Sequence, residues 1–273
     1  MENPEFLASG GFLDPEIQRW IQESRRRYPT WFGIAVDVNR FALKVMLGLD
    51  VHNRAIGELL LATLYLRILH TFEGTILMAE RGMLTQGRML ARSMLEAVFP
   101  LVAIAKDPAT AGEYVEDHKL QKLKFFRKAQ QLGSGMLEEL EDPETKKLAE
   151  ELKDEVDSLG LKGLRTEDLA KKAGLHNWYL TAYAVLSGTV HSRVGDLEEY
   201  LVLGENEQIK EFDWGPRDKG LEKLIMTVAE AMLIAIEHVR AICKIDAGPE
   251  LTGLRERLNE LVTEGLVTNQ KPK

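Results

Sequence analysis

Six residues in this chain combine types and spacing that could do polar chemistry together. Arg88, Arg92 and Glu96 stand four apart, and so do Tyr183, Ser187 and His191. Steps of four stack side chains a turn at a time along one face of a helix. Planar guanidinium groups suit carboxylate or phosphate. Hydroxyl and imidazole groups donate or accept hydrogen bonds, and His191 can change charge near neutral pH. Such a set reads as a pocket for a small anionic or polar ligand, with Glu96 orienting the arginines. Each stripe also has a plainer reading. The first can be an exposed Arg–Glu pair worth about 0.2–0.5 kcal/mol. The second can be a helix edge satisfied by water, with His191 near the helix C-terminus for dipole reasons.

The stripes need helices to carry them. Residues 84–106 form one, stopped by Asp107-Pro108, whose Arg88 face turns apolar at Phe99 and Ala103. Leu84, Ala91, Leu95, Val98 and Val102 make its core face. Charges at the edge of so apolar a helix need partners if buried, because an unpaired buried charge is costly. The second stripe lies on a helix over 177–191. Further helices are expected from Asp14-Pro15-Glu16 to Tyr28, over 31–49, over 54–81 with Asn53 as cap, and over 109–132. Gly133-Ser134-Gly135 reads as a turn. Residues 136–158, dense in Glu and Lys, form a charged arm that Pro143 breaks into two short helices. A short helix at 169–173 closes on Gly174, and 217–245 is a long apolar helix. Residues 205–218 read as loop, a short helix follows Gly248-Pro249, and 267–273 are frayed. No strand pattern of convincing length occurs. The expected fold is an all-α bundle of long helices with a charged helical arm. It divides into an N-terminal helical segment (1–50), the main bundle (51–245) and a C-terminal helix with its tail (246–273).

Composition narrows the chemistry. Of 273 residues, 45% are hydrophobic and only 7% aromatic, which favours helix over sheet. A net charge of -8 argues against broad coating of nucleic acid or anionic membrane. Cys243 is the single cysteine, so no intramolecular disulfide forms and a cysteine zinc site is excluded; it reads as a buried inert thiol. The start of the chain lacks a secretory pattern, and the apolar runs at 94–105 and 225–236 are too short to span a bilayer. A cytoplasmic protein with no membrane contact follows by default. There is no G-x-G-x-x-G or P-loop spacing, no His-Glu-x-x-His and no Gly-x-Ser-x-Gly elbow. None of the six histidines has a Glu three residues before it, the spacing a di-iron bundle uses. No cofactor or metal is expected. Lys119, Lys122, Lys124, Arg127 and Lys128 surround Phe125 and Phe126, a pattern that can track a nucleic-acid backbone or be a solvated face. Arg25-Arg26-Arg27 reads as a cation-favouring helix C-terminus.

The run Leu90-Ala91-Arg92-Ser93-Met94-Leu95-Glu96-Ala97, followed far downstream by Tyr183, Ser187 and His191, resembles the uncharacterised bacterial helical family called domain of unknown function 5677. The resemblance spans roughly residues 60–203, and Arg92, Ser93, Glu96, Ser187 and His191 match its pattern. It implies no activity. Three functions compete. One is a binding or regulatory module holding an anionic or polar ligand between Arg88, Arg92 and His191. Another is a metal-independent nuclease similar to helical ribonuclease domains with an Arg-x4-6-His motif. This chain lacks that arginine before His191, so one from the 84–106 helix would have to substitute. The third is a structural scaffold with both stripes as buried glue. RNA as a partner and self-association stay open, as does whether the chain is an enzyme. Both stripes are expected to face each other, with Arg92 or Glu96 in reach of Ser187 or His191 and Arg88 left for a ligand.

Overall fold

Helix ends in this chain are set by local chemistry. The computed structural model describes residues 10–52, 54–131, 142–161, 163–204, 206–244 and 246–269. The Asp14 carboxylate accepts from Glu16 N at 2.9 Å and leads into α1 (Ile17–Arg27). Proline at the first position starts α2 (Pro29–Leu47). Next come α3 (Ile56–Glu80) and α4 (Leu84–Lys106), joined at Gly82 with φ +72°. A Cβ on Gly82 would lie 2.6 Å from Arg217 N, so only glycine fits this turn. The Asn53 cap and the turn at Gly133-Ser134-Gly135 lie outside the described residues.

The core forms where apolar faces meet. On α3, Leu61, Leu64, Tyr65, Ile68, Leu69, Phe72 and Ala79 are buried at helical spacing. Tyr65 is fully enclosed and donates its hydroxyl to Ala42 O of α2 at 2.9 Å. The α4 face predicted as core is buried throughout, from Leu84 to Val102. Against both packs α9 (Leu221–Val239), whose Ile225, Ala229, Met232, Leu233 and Ile236 are all fully buried. A helix apolar on so many sides belongs at the centre of a bundle. Each large side chain buried there contributes roughly 1.5–3 kcal/mol. Among the described residues no helix is long and apolar enough to cross a membrane.

Other elements flank this centre. The second half of α5 (Ala109–Gln131) packs on α6 (Pro143–Leu159), with Leu123, Ala129, Ala149 and Val156 buried outside the main core. Pro143 is the first residue of α6, and Asp142 caps this helix by accepting from Glu144 N and Thr145 N at 3.1 Å. The rest of the predicted arm, 136–141, lies outside the described residues. α7 (Thr166–Ala173) closes on Gly174 in the left-handed region. Residues 176–190 follow as α8, in which Tyr179–Tyr183 form a π turn.

Four expectations are corrected. The apolar helix read over 217–245 is shorter at both ends: Gly220, at φ +94°, starts α9, and Arg240–Ile242 form a 3-10 turn after it. The 205–218 loop contains a strand, β2 (Ile209–Phe212), paired antiparallel with β1 (Leu201–Leu203). The terminal helix is not short: α10 runs Gly248–Asn269 and seals the core with Leu251, Leu254 and Leu258. Cys243 is only half-buried and forms a lone β-bridge with Leu49.

Candidate functional site

The two stripes meet at Tyr183. Its hydroxyl accepts from Arg92 Nη2 at 2.9 Å and donates to Glu96 Oε1 at 3.0 Å. Arg92 Nη1 lies 3.2 Å from Glu96 Oε2, which closes a three-membered ring of polar contacts between α4 and α8. The Arg92 guanidinium also sits 4.9 Å from the Tyr183 ring centroid, a cation–π distance. Burial, followed by the Glu96 carboxylate, pushes the Tyr183 phenol above its ordinary pKa. It therefore acts as a neutral hydroxyl with a donor and an acceptor role already assigned. The Arg92 Nε–H is buried and has no hydrogen-bond partner among the described residues.

Both helices are irregular at this level. Pro100 lies inside α4 and is buried; it has no N–H, so the Glu96 carbonyl loses its usual helical partner. Opposite it is the π turn Tyr179–Tyr183, a form often found at functional sites. In that turn Tyr179 and Tyr183 stack with ring centroids 5.1 Å apart, and His176 stacks on Tyr179 at 6.1 Å. Phe99 of α4 packs edge-on against both tyrosines, at 6.5 and 5.9 Å. His176 Nε2 reaches Glu167 Oε1 of α7 at 3.3 Å. The result is a column of rings that fixes the position of Tyr183 from the side away from Arg92.

Arg88 does not join this cluster. Its Nη1 binds both oxygens of Glu199, at 2.6 and 2.7 Å, just before β1. Arg217 Nη1 approaches the same carboxylate at 4.0 Å while its Nε pairs with Asp213 at 3.0 Å, and its guanidinium lies 4.6 Å from the Tyr200 ring centroid. So the arginine expected to be left for a ligand is held by a carboxylate. Ser187 is half-buried and His191 is exposed at the end of α8. Among the described residues neither side chain hydrogen-bonds to Arg92 or Glu96, and the expected contact through them is replaced by Tyr183. Just beyond, Ser192 takes φ +48°, and Thr189 Oγ1 donates to Asp196 at 3.0 Å, which ties the helix end back.

Several of these residues escaped the sequence reading. Tyr179 continues the four-residue stripe backward from Tyr183, and Pro100 is a visible helix breaker, so both left a signal. Glu199 and Arg217 come from separate segments and left none. No group of three or more His, Cys, Asp or Glu positioned for a metal occurs among the described residues. A model of a family described as a family of unknown function (DUF5677) matches residues 58–209. That range contains the Arg92–Glu96–Tyr183 cluster, the column of rings, Arg88 and Glu199, and leaves out Arg217 and α9. No curated protein and no solved structure matches the chain.

Proposed function

The chain belongs to this family of unknown function, DUF5677, and from that premise we propose that it is a binding module. It takes a small anionic or polar ligand where α4 faces α8, with Arg92, Ser187 and His191 as the contacting groups. The observation that carries this reading is the buried Arg92 Nε–H without a partner. A buried donor left unpaired costs about 1–3 kcal/mol, and an oxygen of a bound ligand would recover it. Glu96 and Tyr183 hold the guanidinium in place, so little ordering is required on binding. Ser187 in α8 and His191 at its end supply a hydroxyl and an imidazole that have no competing protein partner among the described residues. An anionic ligand could also draw Arg88 from Glu199.

A scaffold is the second reading, favoured by the closed ring of contacts among Arg92, Tyr183 and Glu96, which is satisfied without a ligand. The nuclease reading needs an arginine facing His191, and both arginines of α4 already carry carboxylate partners. The test is mass spectrometry of small molecules that co-purify with the native chain, followed by titration of the identified compound, or of phosphate and citrate, by calorimetry. Binding that falls at least about ten-fold in both Arg92→Lys and His191→Asn, without loss of melting temperature in His191→Asn, supports the binding module. No bound or titratable ligand, with Arg92→Lys destabilised, establishes the scaffold instead.

A further inference from the structure

α5 carries a second surface with unused chemistry. Residues 121, 124, 125 and 128 share one side of this helix, and they are Gln121, Lys124, Phe125 and Lys128, all exposed. Lys122 and Arg127 flank the row and are exposed as well. On the opposite side Leu123 is buried and Phe126 half-buried, so the helix is anchored with its cations outward. Two nearby acids have other partners. Glu155 of α6 pairs with Lys119, and Asp117 accepts from Leu164 N at 2.9 Å and from Gln121 at 3.4 Å. Among the described residues Lys122, Lys124, Arg127 and Lys128 form no ion pair. In a chain of net charge -8, this short stretch is locally inverted in sign.

Phe125 stands in the middle of these charges with 57% of its surface exposed. It meets Phe126 edge-to-face at 6.1 Å. Among the described residues of this face it is the only large apolar side chain, too little for an apolar protein interface but enough for one stacked base. We propose that this face of α5 binds single-stranded nucleic acid. The four cations contact successive phosphates and Phe125 stacks a base, a combination that serves strands without sequence preference. The surface is separate from the α4–α8 cluster, so this inference stands or falls apart from the ligand reading.

The test is fluorescence anisotropy of the full chain with a labelled oligouridine of about twelve nucleotides, at about 50 to 200 mM salt. Four phosphate contacts give a slope of log affinity against log salt of about −3, hence about a fifty-fold loss over that range. The variant Lys122→Gln/Lys124→Gln/Arg127→Gln/Lys128→Gln flattens the slope toward zero. Phe125→Ala weakens binding at least about five-fold and keeps the slope. All five side chains are exposed, and an unchanged circular dichroism spectrum confirms that each variant folds. The proposal is overturned by absence of binding at about 50 mM salt, by equal affinity in the four-glutamine variant, or by an inert Phe125→Ala. Oligoglutamate bound as tightly and with the same slope also overturns it, since the face would then serve an acidic protein.

Discussion

Removing a single oxygen tests the contact between the stripes. Tyr183→Phe keeps the ring, and with it the stacking on Tyr179, the Phe99 edges and the cation–π approach of Arg92. It deletes one hydrogen bond from Arg92 and one to Glu96, each involving a charged group. Hydrogen bonds of that kind are worth roughly 1.5–3 kcal/mol apiece, with the upper end reserved for dry sites. The Glu96 side chain is 38% exposed, so water replaces most of what it loses, and it keeps Arg92 at 3.2 Å. The Arg92 side chain is only 17% exposed and already has one unpaired N–H, so its loss is felt more fully. The expected cost is about 1–2 kcal/mol, seen in urea unfolding as a lower midpoint at unchanged slope. It corresponds to a melting temperature lower by about 2–6 °C for a chain of this size. A double-mutant cycle with Glu96→Gln should show a coupling of about 1 kcal/mol. A cost below about 0.3 kcal/mol with additive effects would mean that the ring of contacts does not hold α4 to α8.

Two further outcomes follow from the same structure. Gly82→Ala forces a left-handed residue to carry a Cβ against the Arg217 and Pro216 backbone, so it should cost about 2 kcal/mol or more, read as a drop in melting temperature. Burial raises the phenol pKa of Tyr65, and burial with Glu96 raises that of Tyr183, so the folded state favours the protonated phenols. Their contribution is complete below about pH 10, the unfolded value, and is lost as pH rises from there through the folded values. Unfolding free energy measured from about pH 9 to 11 should fall, and Tyr183→Phe should fall less steeply.

The sequence disclosed helix boundaries where a residue type enforces them and misjudged them where composition runs on unchanged. The bounds of α4 were legible because Asp107-Pro108 ends it and Gly82 frees its start. Those of α9 were not: apolar residues continue past Val239, and nothing in the letters marks the 3-10 turn at Arg240–Ile242. The hairpin was missed because β1 has three residues and a bulge separates Val202 from Leu203 in its register. The π turn leaves no compositional trace at all, since the extra residue changes a hydrogen-bond register and no residue type.

The stripes expose a deeper limit. A spacing of four states which side chains share a helix face, but four residues turn an α-helix about 40° past a full circle. Over the eight residues from Tyr183 to His191 the stripe therefore drifts about 80° around α8. The exposure follows that drift: Tyr183 is buried, Ser187 half-buried, His191 exposed. Only the first member of the stripe can face Arg92 and Glu96, which is why the contact runs through the phenol and not through the imidazole. The same drift turns the remaining two side chains progressively away from Arg92 and Glu96, Ser187 part of the way and His191 out to solvent. If they serve only as a solvated edge, Ser187→Ala and His191→Asn will leave stability and the bound small-molecule content unchanged, and the proposed site loses two of its three contacts.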